Sequence, residues 1–218
     1  MLKVPPAPLA STEDFYPKDA TMNFCSDCGG RISRRWVAAD GRQRDVCMDC
    51  HQVHYENPRI LVTAMITCQG RLLLCRRAHE PSYGLWCAPG GFMEKEETLE
   101  QAAARELEEE TGVRIDADQL TLYTVTNLPM ISEVYVVFRA SVNDPTIACG
   151  VESLEVGFFS QEEIPWNQLA WPQLGSYLRL FFREQKAGDF GIHLSRADPE
   201  GGFRRSYRIR AADSDWNG

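Results

Sequence analysis

A chain of 218 residues suits one medium domain, or one domain with a small module and tails. Its formal net charge of −8 argues against a general binder of nucleic acid or anionic membrane; an anionic substrate remains possible where metal ions or local arginines offset the charge. Hydrophobic residues make up 44% of it, ordinary for a globular protein, and no apolar run approaches the length of a membrane span.

In chain order, "MLKVPPAPLASTEDFYPKDATM" lacks both the apolar core of a signal peptide and an Arg-rich transit pattern, so a flexible arm over residues 1–22 and a cytoplasmic protein are expected. Next come two Cys-x2-Cys pairs, Cys25/Cys28 and Cys47/Cys50, with 18 residues between them. That spacing suits one tetrahedral Zn²⁺ held by four thiolates, which leave no open position for catalysis. Between the pairs, Asp40-Gly41 signals a hairpin with a type I′ turn. The result is a zinc ribbon over residues 23–54, too small to bury much core, whose metal supplies much of its folding energy. Redox Cys-x-x-Cys pairs are the competing reading, and His51, next to Cys50, is a candidate substitute ligand. Five Arg against four Asp between Cys25 and Cys50, with a formal −2 from a Zn(Cys)₄ centre, favour a scaffold or dimer contact over nucleic-acid binding. Cys68, Cys75, Cys87 and Cys149 sit singly, and free thiols fit a reducing compartment.

Beyond the ribbon, "ILVTAMITC" (60–68) and "RLLLCRR" (71–77) read as strands joined at Gln69-Gly70. "YGLWCAPGGF" holds a short strand and a glycine loop. A helix is expected from Glu97 to Thr111, stopped by Gly112. Strands follow at 120–127, 133–141 and 155–160. Ser160 and Glu163 fit a capping box, and a second helix starts near Pro172, with Leu174, Leu178, Phe181 and Phe182 at helical spacing. Mostly strands with two helices suggests an α/β sandwich with a mixed sheet over residues 55–186. Residues 187–218, including "FRRSYRIR", read as a weakly ordered, solvated tail.

One face of the first helix reads Leu99, Ala102, Ala103, Glu106, Glu110, Val113. It begins apolar, turns acidic and ends apolar. Glu106 and Glu110 are like charges at i,i+4, costing a few tenths of a kcal/mol (roughly) in an isolated helix, near a C-terminus that disfavours anions, on a stripe that should be screened from water. Protonation or a bound dication relieves this; clustered carboxylates offer hard oxygens to Mg²⁺ or Mn²⁺. A solvated charged face is the alternative, but it does not explain why the acids continue an apolar stripe.

The segment from Gly91 to Val113 resembles the Nudix box, G-x5-E-x7-R-E-U-x-E-E-x-G-U with U a bulky aliphatic: Gly91, Glu97, Arg105, Glu106, Leu107, Glu109, Glu110, Gly112 and Val113 all fit. The resemblance implies an α/β/α sandwich that hydrolyses a nucleoside diphosphate linked to another group, assisted by Mg²⁺ or Mn²⁺. It implies Glu106 and Glu110 as central metal ligands, Glu109 as a further ligand, the Gly90 carbonyl as a metal contact, and Arg105 as the residue that orients Glu97. It also implies a later metal ligand or base, for which Glu152 precedes Glu155 as choice; the general base is Glu109, Glu152 or Glu155. On the substrate side, Arg76 or Arg77 can grip a phosphate or else form a surface ion pair, the glycine pair Gly90-Gly91 admits close approach of backbone to metal and phosphate, and Tyr83, Trp86 and Phe92 flank the loop as base-stacking or core residues.

A ribbon ahead of such a box is similar to NADH pyrophosphatases, but their S-Q-P-W-P-F-P signature is replaced here by "TNLPMISEVYVVF". "HYENPRI", "LLCRRAHEPSYGLWCAPGGFMEKEET", "ESLEVGFF" and "EIPWNQLAWP" resemble zinc-ribbon Nudix proteins related to ADP-ribose and FAD pyrophosphatases. The expected activity is release of AMP from ADP-ribose or FAD. An NAD(H) pyrophosphatase acting also on NAD-capped RNA is the alternative within enzymes, and a non-enzymatic regulator or nucleic-acid binder lies outside them. The resemblance further suggests a homodimer.

Overall fold

The computed structural model describes residues 22–171, 173–197 and 203–209; the expected arm over 1–22 lies almost wholly outside them. The chain divides between Pro58 and Arg59 into two compact units.

In the first unit, β1 (Ile32–Val37), β2 (Arg42–Cys47) and β3 (Val53–His54) form an antiparallel sheet. The hairpin loop is longer than the expected two-residue turn. Val37 pairs with Arg42, Asp40 N and Gly41 N both donate to Val37 O, and of the two turn residues only Gly41 has positive φ, at 62°. A type I′ turn needs positive φ at both central residues. Asp40 is instead held by its ion pair with Arg44 at 2.8 Å.

The second unit carries β4 (Arg59–Cys68), β5 (Arg71–Arg77), β6 (Trp86–Cys87), β7 (Gly90–Phe92), α1 (Leu99–Thr111), β8 (Thr121–Leu128), β9 (Glu133–Val142), β10 (Ser153–Phe159), α2 (Leu174–Ala187), β11 (Ile192–Ala197) and β12 (Phe203–Ile209). The sheet order is β10-β5-β4-β9-β8-β11-β12, with β6 on β5 and β7 on β4. β4/β9 and β8/β11 are parallel and the other pairs antiparallel, so the sheet is mixed. Alternation along β4 sends Val62, Ala64 and Ile66 to one face and Met65 to the other. The first group packs with Ala102, Ala103 and Leu107 of α1; Met65 packs with Tyr123, Leu178 and Phe181 on the α2 side. This is the α/β/α sandwich that the motif implies.

α1 starts two residues later than expected. Thr98 is its N-cap: the Thr98 hydroxyl accepts from Gln101 N, and Gln101 Oε1 accepts from Thr98 N. Gly112, at φ 70°, ends it with a bond from its N–H to Glu108 O. At Ser160, Glu163 does accept from Ser160 N at 2.8 Å, but the segment is a turn. Pro165, which has no N–H to give, follows too soon for a helix to develop.

The segment expected as a weakly ordered tail contains β11 and β12, which extend the sheet beyond β8. β11 hides from pattern reading because its inward positions are polar. His193 and Ser195 are buried, while Leu194 is partly open to solvent. The polar pair is satisfied: His193 lies 3.0 Å from Glu184, and Ser195 is 2.6 Å from Thr126, which also meets Tyr177. The side chains of β12, among them the arginines of "FRRSYRIR", lie outside the described residues.

Leu107 is fully buried between α1 and the sheet. Leu107→Ala should cost about 3 kcal/mol of unfolding free energy, measured by urea denaturation.

Candidate active site and metal centre

β7 pairs with β4 and passes directly under α1. A Cβ on Gly90 would lie 2.2 Å from Val62 O, and one on Gly91 would lie 2.5 Å from the Glu106 carboxylate carbon. Only glycine lets the helix press its acids against this backbone. Glu110 is buried there; its Oε2 accepts from Gly90 N and from the Cys75 thiol, each at 3.2 Å. Glu106, mostly buried, faces Gly91. Glu109 stands to the side with its side chain 59% exposed.

Arg105 binds the set together. Its Nε and Nη2 donate to the two oxygens of Glu97 at 3.1 and 2.9 Å. Nη1 donates to Glu106 Oε1 at 2.8 Å and to Glu109 Oε2 at 3.0 Å, and Nη2 also reaches Phe92 O. Glu97 in turn accepts from Glu94 N at 2.6 Å. The guanidinium holds Glu97 below the usual carboxylate range. Burial pushes Glu110 up to about 7, against the opposing bonds from Cys75 and Gly90. Burial raises Glu106 as well, against Arg105, with the charges of Glu109 and Glu152 adding to the rise.

Glu152 therefore lies within electrostatic reach of Glu106. The loop that brings it is built onto the end of α1: Ala148 N donates to Thr111 O at 2.8 Å and Gly150 N to Glu110 O at 3.1 Å. A Cβ on Gly150 would sit 1.7 Å from Glu109 O, so this approach also demands glycine. Glu152 O then accepts from Ala78 N, tying the loop to the chain just after β5. Cys75 and Gly150 escaped sequence reading. For Cys75 the only signal is a thiol in a strand that could end beside the box; for Gly150 it is a glycine two residues before the later glutamate.

The expected substrate residues fare differently. Trp86 is buried at 6% exposure, edge-on to Phe159 at 5.0 Å, so it is a core residue and not a base platform. Its strand is clamped by backbone bonds to Gln168 and Ala170. Arg76 donates through Nε to Gly84 O and pairs with Glu155 at 3.6 Å. Arg77 donates through Nε to Pro81 O, lies over the Trp171 ring, and its charge reaches Glu110. Tyr83 and Phe92 are exposed, and Arg59 covers the Phe92 ring at 4.6 Å.

In the first unit, the sulfurs of Cys25, Cys28, Cys47 and Cys50 all lie within 4.8 Å of one another. Cys25 to Cys50 is 3.8 Å and Cys28 to Cys47 is 3.5 Å. A tetrahedron with Zn–S of about 2.3 Å separates its sulfurs by about 3.8 Å, so the donor set fits zinc. Amides of Asp27, Gly30, Asp49 and Cys50 point at three of the sulfurs. The Cys50 N–H leads the effects that lower Cys47 to about 7. A Cβ on Gly30 would lie 2.9 Å from Cys47 Sγ, closing that approach. The histidine that meets the cluster is His54, 3.3 Å from Cys25 Sγ; His51 is outside it.

Helix, glycine turn and mixed sheet together make the architecture of a Nudix sandwich behind a zinc ribbon. The chain belongs to the Nudix family: residues 57–181 match the NUDIX domain and residues 23–56 the Nudix N-terminal zinc ribbon. A crystal structure of a NUDIX hydrolase from Nitrosomonas europaea is similar to it at 41% identity and TM-score 0.76, over 80% of this chain and 98% of that one. A NAD-capped RNA hydrolase of Photobacterium profundum is 35% identical over 95 residues, 44% of this chain and 34% of that protein. An ADP-ribose pyrophosphatase of Methanocaldococcus jannaschii is 31% identical over 113 residues, 51% of this chain and 67% of that protein. The matched segment thus spans about a third of the first of these two curated relatives. No helix among the described residues is long and apolar enough to cross a membrane.

Two outcomes follow from this geometry. Elemental analysis should find one zinc per chain, and Cys47→Ser should lose most of it and melt the ribbon. For Glu110 the folded pKa is raised, so its stabilising contribution is complete below the ordinary carboxylate value and disappears as pH rises through about 7. Metal-free protein should therefore lose melting temperature relative to Glu110→Gln between about pH 5 and about pH 8; parallel curves would contradict the buried carboxylate.

Proposed function

We propose that this chain is a hydrolase that cleaves the pyrophosphate bond of a nucleoside diphosphate joined to another group, with ADP-ribose or FAD as substrate and AMP as one product. The observation that carries this reading is the pairing of Glu106 and Glu110 on the glycine turn, one acid buried and the other mostly so, each left incompletely satisfied by protein. Such hard-oxygen donors suit Mg²⁺ or Mn²⁺, with Glu109 and the Gly90 carbonyl completing the set and Glu152 beside it as a further ligand or as the base. The bound cation would offset diphosphate charge, polarise a P–O bond and acidify water. Arg105 keeps Glu97, Glu106 and Glu109 in one arrangement, so the site is set before substrate arrives.

Water adds to one phosphorus, the bridging P–O bond breaks, and the proton from water passes to a carboxylate. We assign that base to Glu152. All three are similarly exposed, but Glu155 is paired with the permanent cation Arg76 and Glu109 with Arg105, while the partner of Glu152 is a histidine, His79, 3.9 Å away. Arg77, close enough to act on Glu110, is the phosphate contact we favour over Arg76. Residues 23–54 form the ribbon, held by structural zinc, and 55–186 the hydrolytic domain. The eight cysteines without a disulfide suit a reducing cytoplasm.

An NAD(H)-directed activity, extending to NAD-capped RNA, stands equally well. The Photobacterium relative is named an NAD-capped RNA hydrolase, and these substrates share an adenosine diphosphate core with ADP-ribose. ADP-ribose, FAD, NADH, NAD⁺ and NAD-capped RNA, each offered with Mg²⁺ or Mn²⁺ and followed by chromatography, separate the two readings. The preferred substrate should yield AMP or a 5′-monophosphate RNA end, and Glu110→Gln should lower its kcat at least about 100-fold. Undiminished turnover in that variant would overturn the site.

A further inference from the structure

Glu110 has two carboxylate oxygens in unequal surroundings. Oε2 accepts from the Gly90 amide and from the Cys75 thiol, both at 3.2 Å. Oε1 has no hydrogen-bond partner among the described residues. A carboxylate turns easily about its last bond, since that torsion is broad. One amide donor fixes a point on it; a second donor from another direction fixes its plane.

Cys75 is 1% exposed on β5, opposite Cys87 of β6. Its single proton has other acceptors nearby, Cys87 O at 3.5 Å and Cys87 Sγ at 3.6 Å. The carboxylate is the nearest and, when ionised, the strongest. With the Cys75 proton on Glu110, Cys87 donates to Cys75, and the two thiols form a hydrogen-bonded row that ends on Oε2. A strand otherwise filled with leucines at Leu72, Leu73 and Leu74 thus puts a donor where the acid arrives.

We propose that Cys75 is a positioning residue for Glu110: with the Gly90 amide it holds Oε2 and turns Oε1 toward the divalent cation. This rests on the proposed role of Glu110 as a metal ligand, and the test separates the two. Binding of Mn²⁺ to the full chain, followed by the loss of the free-ion paramagnetic resonance signal, is compared for wild type, Cys75→Ala, Cys75→Ser and Glu110→Gln, alongside kcat, KM and metal-free melting. Cys75→Ala should weaken Mn²⁺ binding about 10-fold and lower kcat with KM little changed. Cys75→Ser, which keeps a donor, should recover most of both. Cys75→Val, also without a donor, takes the place of the alanine variant should that fail to fold. If Glu110→Gln loses Mn²⁺ while Cys75→Ala and Cys75→Val bind as wild type does, the positioning role is wrong and the metal site stands. If Glu110→Gln binds Mn²⁺ normally, the metal-site reading falls and the positioning role with it. A lower melting temperature in Cys75→Ala without any change in Mn²⁺ affinity assigns the thiol to packing alone and overturns the proposal.

Discussion

The central constraint is the placing of acids on a helix face that would otherwise be sealed. Leu99, Ala102 and Ala103 anchor α1 on the sheet, and the same face then delivers Glu106 and Glu110 to a glycine turn. Left alone, two carboxylates so close and so shielded would repel each other or take up protons. One guanidinium offsets part of that cost. Arg105 spans Glu97, Glu106 and Glu109 and touches the Phe92 carbonyl, so helix, turn and the stretch between them share a single cation. Its fork is suited to this role in a way a lysine ammonium is not, because five bonds must leave in fixed directions. The residual strain, seen in the raised Glu110 and Glu106, is what a divalent cation would relieve.

The two units are held by different means. The ribbon has little apolar interior; its buried residues include two of its own ligands, Cys25 and Cys47, and amide-to-sulfur bonds organise each Cys-x2-Cys turn. Such a module depends on metal for its fold. The second unit has a hydrophobic layer on either side of the sheet, one under each helix, and would keep its core without any ion. Loss of zinc and loss of Mg²⁺ or Mn²⁺ are thus separate injuries.

Much of this was legible in the residues. β4, β5, β8, β9 and β10 follow apolar runs, and the acidic stripe on α1 pointed to its own oddity through helical spacing. What escaped has a common physical cause: polar atoms satisfied by partners far away in sequence. β11 buries His193 and Ser195, and Glu184 on α2 and Thr126 on β8 make that acceptable. The Cys75 contact joins residues 35 apart, and His54 approaches a cysteine 29 residues before it. Trp86 is a different case. Its neighbourhood in sequence left base stacking and core packing both open, and Phe159, on a distant strand, claims its ring for the core. Local pattern finds periodic burial; it does not find the remote group that makes an exception affordable.

The backbone of Gly150 is seated on the carbonyl of Glu110, with no room for even a methyl group against Glu109. The loop leading into it from β9 is held from Ile147 onward, by packing of Ile147 under α1 and by the Ala148 and Gly150 amides. The exposed residues 143–146 can lengthen or shorten without moving Glu152, whereas a single residue inserted between Gly150 and Glu152 would swing that acid away from its counterparts. Across relatives of this chain, length variation should gather on one side of that glycine and stop abruptly at the other.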